Sequence, residues 1–311
     1  MVPQISIVSP VYMAEGIVDE LVRRMTASVS QITDNYEIVL VCDGSPDGSW
    51  EKIVRCCGED ERVKGVLLSR NFGQECAIVA GLRESQGNWV VVMDCDLQDD
   101  PAMIPAFWEK AREGYDVVFG ERRVRLDSFW KRLSSKFYYK VFNYLTDTKQ
   151  DDFVGNFGLF SRRVVESVLS MGESGRCFTT MVYWSGFERA FVPVCHGERY
   201  EGRTSYSFAR LMRVSRDAIL SFSDRPLRIM TRLGLLLSLF SFLVGLYYFV
   251  QWCRGVIDVD GYTSLIISLW FIAGLLIMFM GVLGLYLGKV FEEVKGRPLY
   301  VIADRRNIEK R

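Results

Sequence analysis

The sequence predicts an α/β fold with a Rossmann-like, mostly parallel sheet, followed by a two-helix transmembrane hairpin. Short β-branched runs alternate with segments of helical periodicity between residues 5 and 120. Acidic and polar residues stand where the strand-like runs end, and two long uncharged stretches lie in the last third of the chain. These three features separate a globular part that carries the chemistry from a part suited to a membrane.

The strand-like runs are short and β-branched: Ile5–Tyr12, Tyr36–Cys42, Val63–Leu68, Trp89–Asp94 and Asp116–Gly120. Apolar residues recur near helical spacing in the segments between them: Ile17–Val29, Ser49–Cys57 and Gly73–Glu84. This alternation predicts a parallel sheet with helices on both faces. Ligands bind beyond the carboxyl ends of the strands in such sheets, so the catalytic residues are expected there.

The charge and the cysteines argue against two other classes of protein. The chain has 38 basic and 38 acidic residues, whereas a general nucleic-acid binder carries a basic excess. Its eight cysteines form no pair of CxxC elements that would predict a zinc site, and we interpret them as reduced thiols of a cytosolic domain. Residues 1–4 lack the features of a signal peptide, which also predicts a cytosolic globular part.

Two apolar stretches, Leu233–Cys253 and Leu265–Leu287, are each long enough to cross a bilayer and contain no charged residue. A pair of buried core helices is the alternative, but soluble domains seldom contain two such stretches. The linker Arg254–Tyr262 carries one Arg and two Asp, while the outer flanks are basic. Because positive charge stays on the cytosolic side, both chain ends are predicted to be cytosolic.

The chain is thus predicted to have four parts. They are a catalytic domain over 1–200, juxtamembrane amphipathic helices over 201–232, two transmembrane helices over 233–288 and a cytosolic tail over 289–311. The second apolar stretch carries small residues on one helical face: Gly281, Gly284 and Gly288. That face predicts close packing, either within the hairpin or between copies of the chain in a homo-oligomer.

An acidic cluster, Asp94–Asp100, follows the fourth strand-like run. Alternate residues of an extended segment point the same way, so Asp94, Asp96 and Gln98 are expected to converge on one point. Hard oxygen ligands suit Mg²⁺ or Mn²⁺ bound together with substrate phosphates, where the ion neutralises charge on a departing nucleotide diphosphate. An isolated Asp-x-Asp is more often a solvated turn, but its position at a strand end favours a metal site.

The sequence lacks both common phosphate-binding loops, because no GxGxxG follows the first strand and no GxxxxGK[ST] occurs. The segment Ser69–Glu75 instead ends the third strand and opens a helix, whose N-terminus favours anions. Arg70 in this segment is a candidate clamp for a phosphate or a carboxylate. The alternative is that the Arg-Asn pair before Gly simply makes a turn.

Seven strings follow one another along the chain: "SIVSPVY", "CDGSPDGS", "LSRNFGQECAIVAGL", "VVVMDCDLQDDP", "ERYEGRTSYSFARL", "SFSDRPLRI" and "GVLGLYLGKVFEEVKGRPLYVI". Together they resemble family 2 inverting glycosyltransferases with a GT-A fold, within the bactoprenol-phosphate glucosyltransferase and dolichyl-phosphate mannose synthase group. The resemblance implies transfer of a sugar from a UDP- or GDP-linked donor to polyprenyl (undecaprenyl) phosphate. It also implies a place at the cytosolic face of a bacterial inner membrane and a role in cell-envelope glycan modification.

The resemblance implies roles for single residues as well. Asp43 matches the acid that contacts the nucleotide base, in a pocket lined by Pro10, Tyr12 and Glu15. The DxD region matches the site of the donor ribose and phosphates at Asp94, and the metal-binding positions at Asp96 and Gln98. Further residues match those that close over the donor diphosphate and lipid phosphate, or that precede the acceptor region: Arg199, Arg203, Ser205 and Arg122.

The chain departs from the family pattern at two places. Cys42 stands where the family usually has the first Asp of Asp-Asp-Gly-Ser, which leaves the base contacts open. Asn156 and Gly158 replace the acid and the Arg of Gly-Asp-Phe-Arg-Leu, which leaves the sugar and any general base open. The basic and aromatic stretch Glu121–Lys140 suits a helix in the headgroup layer, or else a solvated amphipathic face.

Two other functions remain as alternatives at this level. One is a membrane glycosyltransferase that adds sugar to a hydroxyl acceptor of a growing glycan; more spans and a Gln-x-x-Arg-Trp motif are expected of it, and the sequence has neither. The other is a degenerate, non-catalytic membrane protein that binds nucleotide sugars. The intact Asp94, Asp96 and Gln98 speak against that function.

Overall fold

The computed structural model of the protein describes residues 3–122, 154–171, 177–194, 225–254 and 261–308. The chain divides into two compact units. The first holds the sheet and comprises the described residues up to 194 together with 298–308, and the second comprises 225–254 and 261–297. The predicted juxtamembrane segment up to residue 224 and the basic stretch from residue 123 onward lie outside the described residues.

The first unit is built on an eight-stranded sheet. Its strands are β1 (Ile5–Val11), β2 (Tyr36–Cys42), β3 (Val63–Leu68), β4 (Trp89–Val92), β5 (Val117–Arg122), β6 (Val154–Ser161), β7 (Arg189–Val194) and β8 (Ile302–Arg306). The strand order is β7-β5-β6-β4-β1-β2-β3-β8. Strand β1 pairs in parallel with β2 and β4, as do β2 with β3 and β5 with β7, whereas β6 and β8 pair antiparallel to their neighbours. The predicted α/β sheet, mostly parallel, is confirmed.

Helices follow the strands as the apolar periodicity predicts. They are α1 (Val18–Val29), α2 (Ser49–Glu59), α3 (Gln74–Glu84), α4 (Ile104–Arg112), α5 (Arg162–Ser170) and α6 (Phe178–Trp184), with a 3₁₀ turn at Pro101–Met103. Every residue of β1 and β2 is buried, as expected of central strands covered on both faces. These two strands therefore give the loops at their carboxyl ends a rigid base.

The chain after the second long helix returns to the sheet. Strand β8, within the predicted cytosolic tail, pairs antiparallel with β3 at one edge of the sheet. The side-chain amide of Asn307 donates to the carbonyl oxygens of Cys57 at 2.7 Å and Val63 at 2.8 Å. At least this part of the tail is thus folded into the first unit.

The second unit contains the long helices α7 (Arg225–Cys253) and α8 (Tyr262–Val294). The windows Leu227–Val244 and Phe271–Phe291 are long and apolar enough to cross a membrane, and none of the residues whose exposure the structure describes there is buried. Buried core helices, which were the alternative to membrane spans, would have their apolar side chains covered by the rest of the protein. Because so much apolar surface is unfavourable in water, we assign the protein to a membrane.

Candidate active site

The loops after β1 and β2 are joined to each other by hydrogen bonds. The backbone N–H of Glu15 donates to Oδ2 of Asp47 at 3.2 Å, and the N–H of Gly48 donates to Oε2 of Glu15 at 3.1 Å. The N–H of Met13 also donates to Oγ of Ser45 at 2.8 Å. The carboxylate of Glu15, a predicted donor-binding residue, is thereby held against the loop that follows β2.

Two further predicted donor-binding residues lie on β1 and just beyond it. Pro10 is buried within β1, opposite Val41 of β2. Tyr12 follows the end of the strand and is 46% exposed. The Tyr12 ring is therefore accessible at the carboxyl edge of the sheet, where a ligand is expected to bind.

Asp43 is buried and organises the start of α3. Its Oδ1 accepts from the N–H of Phe72 at 2.7 Å and its Oδ2 accepts from the N–H of Gly73 at 2.9 Å. Both carboxylate oxygens thus bind backbone, which is a structural role beyond the base contact that the family resemblance implies. The predicted clamp Arg70 is exposed, with its guanidinium 4.1 Å from the centre of the Phe72 ring.

Gly44 allows the loops after β2 and β3 to touch. Its φ is +58°, in the left-handed region, and a Cβ atom at this position would lie 2.3 Å from the carbonyl carbon of Arg70. Only glycine satisfies both conditions without strain. The loops after β1, β2 and β3 therefore form one connected surface.

The acidic cluster after β4 is a turn and not an extended segment. Strand β4 ends at Val92, Leu97 has a φ of +57°, and the N–H of Gln98 donates to Oδ1 of Asp96 at 3.1 Å. The prediction for Asp94, Asp96 and Gln98 assumed an extended segment, in which alternate side chains point the same way. That assumption is wrong, because the Asp96 side chain accepts a hydrogen bond from the backbone two residues further on and the chain turns there.

Asp94 is tied to the first residue of α3. Nε2 of Gln74 donates to Oδ1 of Asp94 at 2.6 Å, although 20 residues separate the two in sequence. Asp94 and Asp96 are both half-buried, so each keeps part of its surface for a ligand. The bond brings the acidic turn to the same N-terminus of α3 that Asp43 organises.

The oxygen atoms of the acidic turn fit a divalent ion that also binds substrate. In the described part of the chain, no three His, Cys, Asp or Glu side chains gather in a group able to hold a metal by themselves. Mg²⁺ is commonly bound by one or two carboxylates together with substrate phosphates and water. Asp94, Asp96 and the amide oxygen of Gln98 offer donors of that kind, so the turn fits an ion that arrives with a nucleotide diphosphate.

Glu75 connects the start of α3 to the start of α6. Its Oε2 accepts from the N–H of Phe178, the first residue of α6, at 2.7 Å. Burial raises the pKa of Glu75 to about 7; the Phe178 N–H lowers it, and the nearby Asp94 raises it further. The carboxyl group is therefore sensitive to the charge on Asp94, which lies close enough to act on it.

Asn156, the residue that replaces the family's acid, is held by α6. Oγ1 of Thr179 donates to Oδ1 of Asn156 at 2.8 Å. The next residue on β6, Phe157, points into the core, where its ring packs against that of Phe107 at 4.7 Å between centres. Adjacent residues of a strand point to opposite faces of the sheet, so the Asn156 side chain points away from the core that Phe157 enters. The hydrogen bond from Thr179 then holds the Asn156 side chain in place.

Four predicted site residues are not placed by the structure. Arg122 is the last residue of β5, where its backbone pairs with Val194, but the structure does not describe its side chain. The other three lie in the segments that the structure does not describe: Arg199, Arg203 and Ser205. Their roles remain predictions from the family resemblance.

Sequence reasoning missed three residues that organise the site: Gln74, Glu75 and Thr179. Gln74 and Glu75 follow a glycine at a predicted helix start, where acidic and amide side chains are ordinary helix-starting residues. Thr179 lies beside an aromatic residue in a short helix and carries no motif. Their hydrogen-bond partners lie 20, 103 and 23 residues away, and no local pattern indicates such partners.

The mostly parallel, Rossmann-like sheet is the GT-A fold of glycosyltransferases. A solved structure of glucosyl-3-phosphoglycerate synthase from Mycobacterium tuberculosis, in complex with Mn²⁺, uridine diphosphate and phosphoglyceric acid, matches with a TM-score of 0.50. The match covers 70% of this chain and 77% of that one at 16% sequence identity. A likeness at this identity shows the common fold.

The chain belongs to glycosyl transferase family 2, whose sequence profile matches residues 6–169. An undecaprenyl-phosphate 4-deoxy-4-formamido-L-arabinose transferase of Shewanella sediminis is 34% identical over 96% of this chain and 92% of its own length. A prophage-derived bactoprenol glucosyl transferase of Shigella flexneri is 33% identical over 96% of this chain and 97% of its own. The family resemblance of the seven strings is confirmed.

Proposed function

We propose that this protein transfers a sugar from a UDP- or GDP-linked donor to the phosphate of polyprenyl (undecaprenyl) phosphate, with inversion at the anomeric carbon. The observation that carries the proposal is the bond between Gln74 and Asp94, which brings the acidic turn onto the helix N-terminus organised by Asp43. Relatives similar over nearly their whole length bear the names of undecaprenyl-phosphate and bactoprenol sugar transferases, which supports this acceptor.

The donor binds at the carboxyl edge of β1, β2 and β4. Tyr12 and Glu15 line the part of the donor site that takes the base and the ribose. The Tyr12 side chain is exposed there, and the Glu15 carboxylate accepts from the N–H of Gly48. Asp43 lies beneath them, and Asp94 and Arg70 approach the ribose and the phosphates. The N-terminus of α3, which follows Gly73, adds a favourable electrostatic field for the anionic diphosphate.

Asp96 and Gln98 would hold Mg²⁺ or Mn²⁺ together with the donor diphosphate. When bound, the ion supplies positive charge that stabilises the departing nucleotide diphosphate. The structural relative from Mycobacterium tuberculosis was solved with Mn²⁺ and uridine diphosphate, which supports a divalent ion. The Asp96 carboxylate also accepts from the N–H of Gln98 and so shapes its own loop. Asp96 would therefore both hold the turn in place and bind the ion.

The acceptor is a phosphate monoester, which is already anionic near neutral pH because its second pKa is about 6. Its oxygen attacks the anomeric carbon from the face opposite the leaving diphosphate, and no proton has to be removed. The site must instead hold two anionic groups close together, which calls for positive charge. We assign this task to Arg122, Arg199 and Arg203.

We further propose that α7 and α8 span the bacterial inner membrane as a hairpin, with the catalytic unit and both termini in the cytosol. The basic residues outside the two spans support this orientation. Reporter fusions at each terminus should give cytosolic signals, and only residues 254–262 should react with an impermeant label from outside. A periplasmic C-terminus would contradict the hairpin.

The test of the function uses membranes from cells that express the full chain. Radiolabelled UDP- and GDP-sugars are supplied with undecaprenyl phosphate or with undecaprenol, which has a hydroxyl in place of the phosphate. Label is expected in extractable lipid only with the phosphate acceptor, and Asp96→Asn membranes serve as the matched control. Equal labelling with undecaprenol, or label confined to polymer, would show a hydroxyl acceptor instead.

A further inference from the structure

Two serine hydroxyls of the loop after β2 bind the backbone of the loop after β1. The N–H of Met13 donates to Oγ of Ser45 at 2.8 Å, and the N–H of Ala14 donates to Oγ of Ser49 at 3.1 Å. These bonds join residues that lie 32 and 35 positions apart in the sequence. They fix the backbone of the loop whose side chains are proposed to line the donor site.

Asp47 binds both hydroxyls and a third group of the same loop. Its Oδ1 accepts from Oγ of Ser45 at 2.5 Å and from Oγ of Ser49 at 2.6 Å, and its Oδ2 accepts from the N–H of Glu15 at 3.2 Å. Partial burial raises the pKa of Asp47, but these hydrogen bonds outweigh it and hold the pKa below its ordinary value. The ionised carboxylate only accepts, so each hydroxyl gives it its single proton and turns its lone pairs to the loop after β1.

The loop after β1 needs this support because part of its backbone is in a disfavoured conformation. Met13 has a φ of +53°, in the left-handed region, although it is not a glycine. Met13 is also 60% exposed, so burial of its side chain does little to hold it there. A backbone of this kind persists only where the surrounding structure fixes it, and the bond from the Met13 N–H to Ser45 is such a contact.

The same network reaches a side chain that is proposed to face the donor. The N–H of Gly48, next to Asp47, donates to Oε2 of Glu15 at 3.1 Å. A Cβ atom at Gly48 would lie 2.7 Å from the carboxyl carbon of Glu15, so the carboxylate lies directly against this backbone. Both the backbone and the side chain of Glu15 are therefore bound by the two residues Asp47 and Gly48.

We propose that Asp47 is a positioning residue of the donor site, which holds Tyr12 and Glu15 where they bind the base and the ribose. This inference rests on the proposed function and deepens it, since it names what shapes one end of that site. Both carboxylate oxygens of Asp47 already accept from the protein, so the residue acts on the donor through the loop. Without Asp47 the loop has the binding geometry for only part of the time, and the apparent affinity for the donor falls by that fraction.

The decisive variant is Asp47→Asn, which has nearly the same size and replaces one carboxylate oxygen by an N–H₂ group. An N–H₂ group cannot accept, so either the two hydroxyls or the Glu15 N–H lose their partner whichever way the amide turns. The binding probes are UDP and GDP with Mn²⁺, added to the full chain in detergent. We expect the Kd of the nucleotide that binds, and the KM of the corresponding nucleotide sugar, to rise about tenfold, while kcat and the KM for undecaprenyl phosphate change less than about twofold.

Ser49→Ala separates positioning from direct contact with the donor. Ser49 is fully buried, so its hydroxyl meets no ligand, and the variant removes its bonds to Ala14 and Asp47. We expect Ser49→Ala to raise the donor KM several-fold as well. The double variant with Asp47→Asn should raise it by less than the product of the two single effects, because both act on one network.

The matched control is Asp60→Asn, which makes the same chemical change at the other end of α2. Asp60 also accepts from the backbone N–H two residues on, at Arg62, and from the Arg62 guanidinium. We expect Asp60→Asn to leave the nucleotide Kd and the donor KM unchanged. If Asp47→Asn does not fold, Ser45→Ala takes its place, since it removes one hydroxyl of the network, keeps the carboxylate and should raise the donor KM by a smaller factor.

The outcomes separate the inference from the function on which it rests. Transfer to undecaprenyl phosphate with a donor KM that Asp47→Asn, or Ser45→Ala in its place, leaves unchanged would overturn the inference and leave the proposed function standing. A rise for Asp47→Asn with none for Ser49→Ala would mean that Asp47 touches the donor, which would overturn the inference as well. Failure of the unmodified chain to transfer sugar to undecaprenyl phosphate would refute the proposed function itself.

Discussion

The side-chain amide of Gln74 donates to Oδ1 of Asp94 over 2.6 Å, which ties the first residue of α3 to the acidic turn after β4. The same helix start is bound by Asp43 through the N–H groups of Phe72 and Gly73. The ends of β2, β3 and β4 are therefore positioned by one short stretch of chain. A change in that stretch is expected to alter donor binding before it alters the fold.

Gln74→Glu should impair the enzyme through donor binding. The variant replaces an N–H donor by a carboxylate next to Asp94, so a hydrogen bond to an anion is lost and like charges meet. We expect kcat/KM for the donor to fall about tenfold or more. Steady-state kinetics of Gln74→Glu are compared with Gln31→Ala, which removes an exposed amide that donates to the Ala27 carbonyl of its own helix region. Equal kinetics for both variants would show that the Gln74–Asp94 bond has no part in donor binding.

Asp96→Asn should abolish nearly all turnover while the protein remains folded and bound to membranes. The lost charge is a large part of what the turn offers a divalent ion. The measurement is sugar transfer in EDTA-treated membranes to which Mg²⁺ or Mn²⁺ is returned in steps. Asp100→Asn is the control, because Asp100 caps the following 3₁₀ turn through the Ala102 N–H and its Asn keeps an oxygen there. Full activity of Asp96→Asn without added metal would refute the metal assignment.

Gly44→Ala should destabilise the catalytic unit. A left-handed backbone costs a non-glycine residue about 1–2 kcal/mol, and the added Cβ would also overlap the Arg70 backbone. We expect a loss of more than about 2 kcal/mol in the free energy of unfolding. Gly58→Ala is the matched control, since the residue is in α2 and a Cβ there would meet no atom within 4 Å apart from the adjacent backbone of its own helix. The measurement is denaturant unfolding of both variants. Equal shifts of their unfolding midpoints would contradict the prediction.

Glu75 should make stability depend on pH between about 4.5 and 7. Its folded-state pKa of about 7 lies above the ordinary value of 4.5, so folding favours the protonated form. The resulting stability is fully present below pH 4.5 and is lost as pH rises through 7, by an amount on the order of 3 kcal/mol.

The comparison is with Glu75→Gln, which does not titrate and keeps an acceptor for Phe178. Relative to that variant, the unmodified chain should become steadily less stable across this interval in unfolding experiments at several pH values. Glu59→Gln, at an exposed residue of α2, should follow the unmodified chain. A stability difference between Glu75→Gln and the unmodified chain that does not vary with pH would mean that folding leaves the pKa of Glu75 unchanged.

The rate of transfer should level off above about pH 7, because the acceptor phosphate is then already ionised. For the same reason Asn156→Ala should cost far less than Arg203→Ala, since a hydrogen bond is weaker than the charge of an Arg that holds two phosphates together. The measurement is kcat/KM for undecaprenyl phosphate from pH 5 to pH 9. A steep rise that continues to pH 9, and that disappears in a carboxylate variant of the site, would reveal a general base.

The sequence alone determined the order of the elements in the catalytic unit. Runs such as Tyr36–Cys42 and Val63–Leu68 match the observed strands residue for residue, because their short, mostly apolar and β-branched sequences suit strands that are largely buried in the sheet. The location of the site at the carboxyl ends of the strands follows from the same alternation. The seven strings that resemble the family added the predicted roles of the acidic turn in metal binding and of the loops after β1 and β2 in donor binding.

Only the tertiary structure decided which loops meet and how the acidic turn is shaped. The bonds of Gln74 and Glu75 join residues far apart in sequence, and the edge strand Ile302–Arg306 is too short and polar to stand out as a strand before it pairs with β3. The turn at Asp96 depends on a side chain that binds its own backbone, where the apolar pattern of β4 suggested that the strand would continue. Periodicity reports which face of an element is buried; it does not report the partner that a polar side chain finds once the elements have packed.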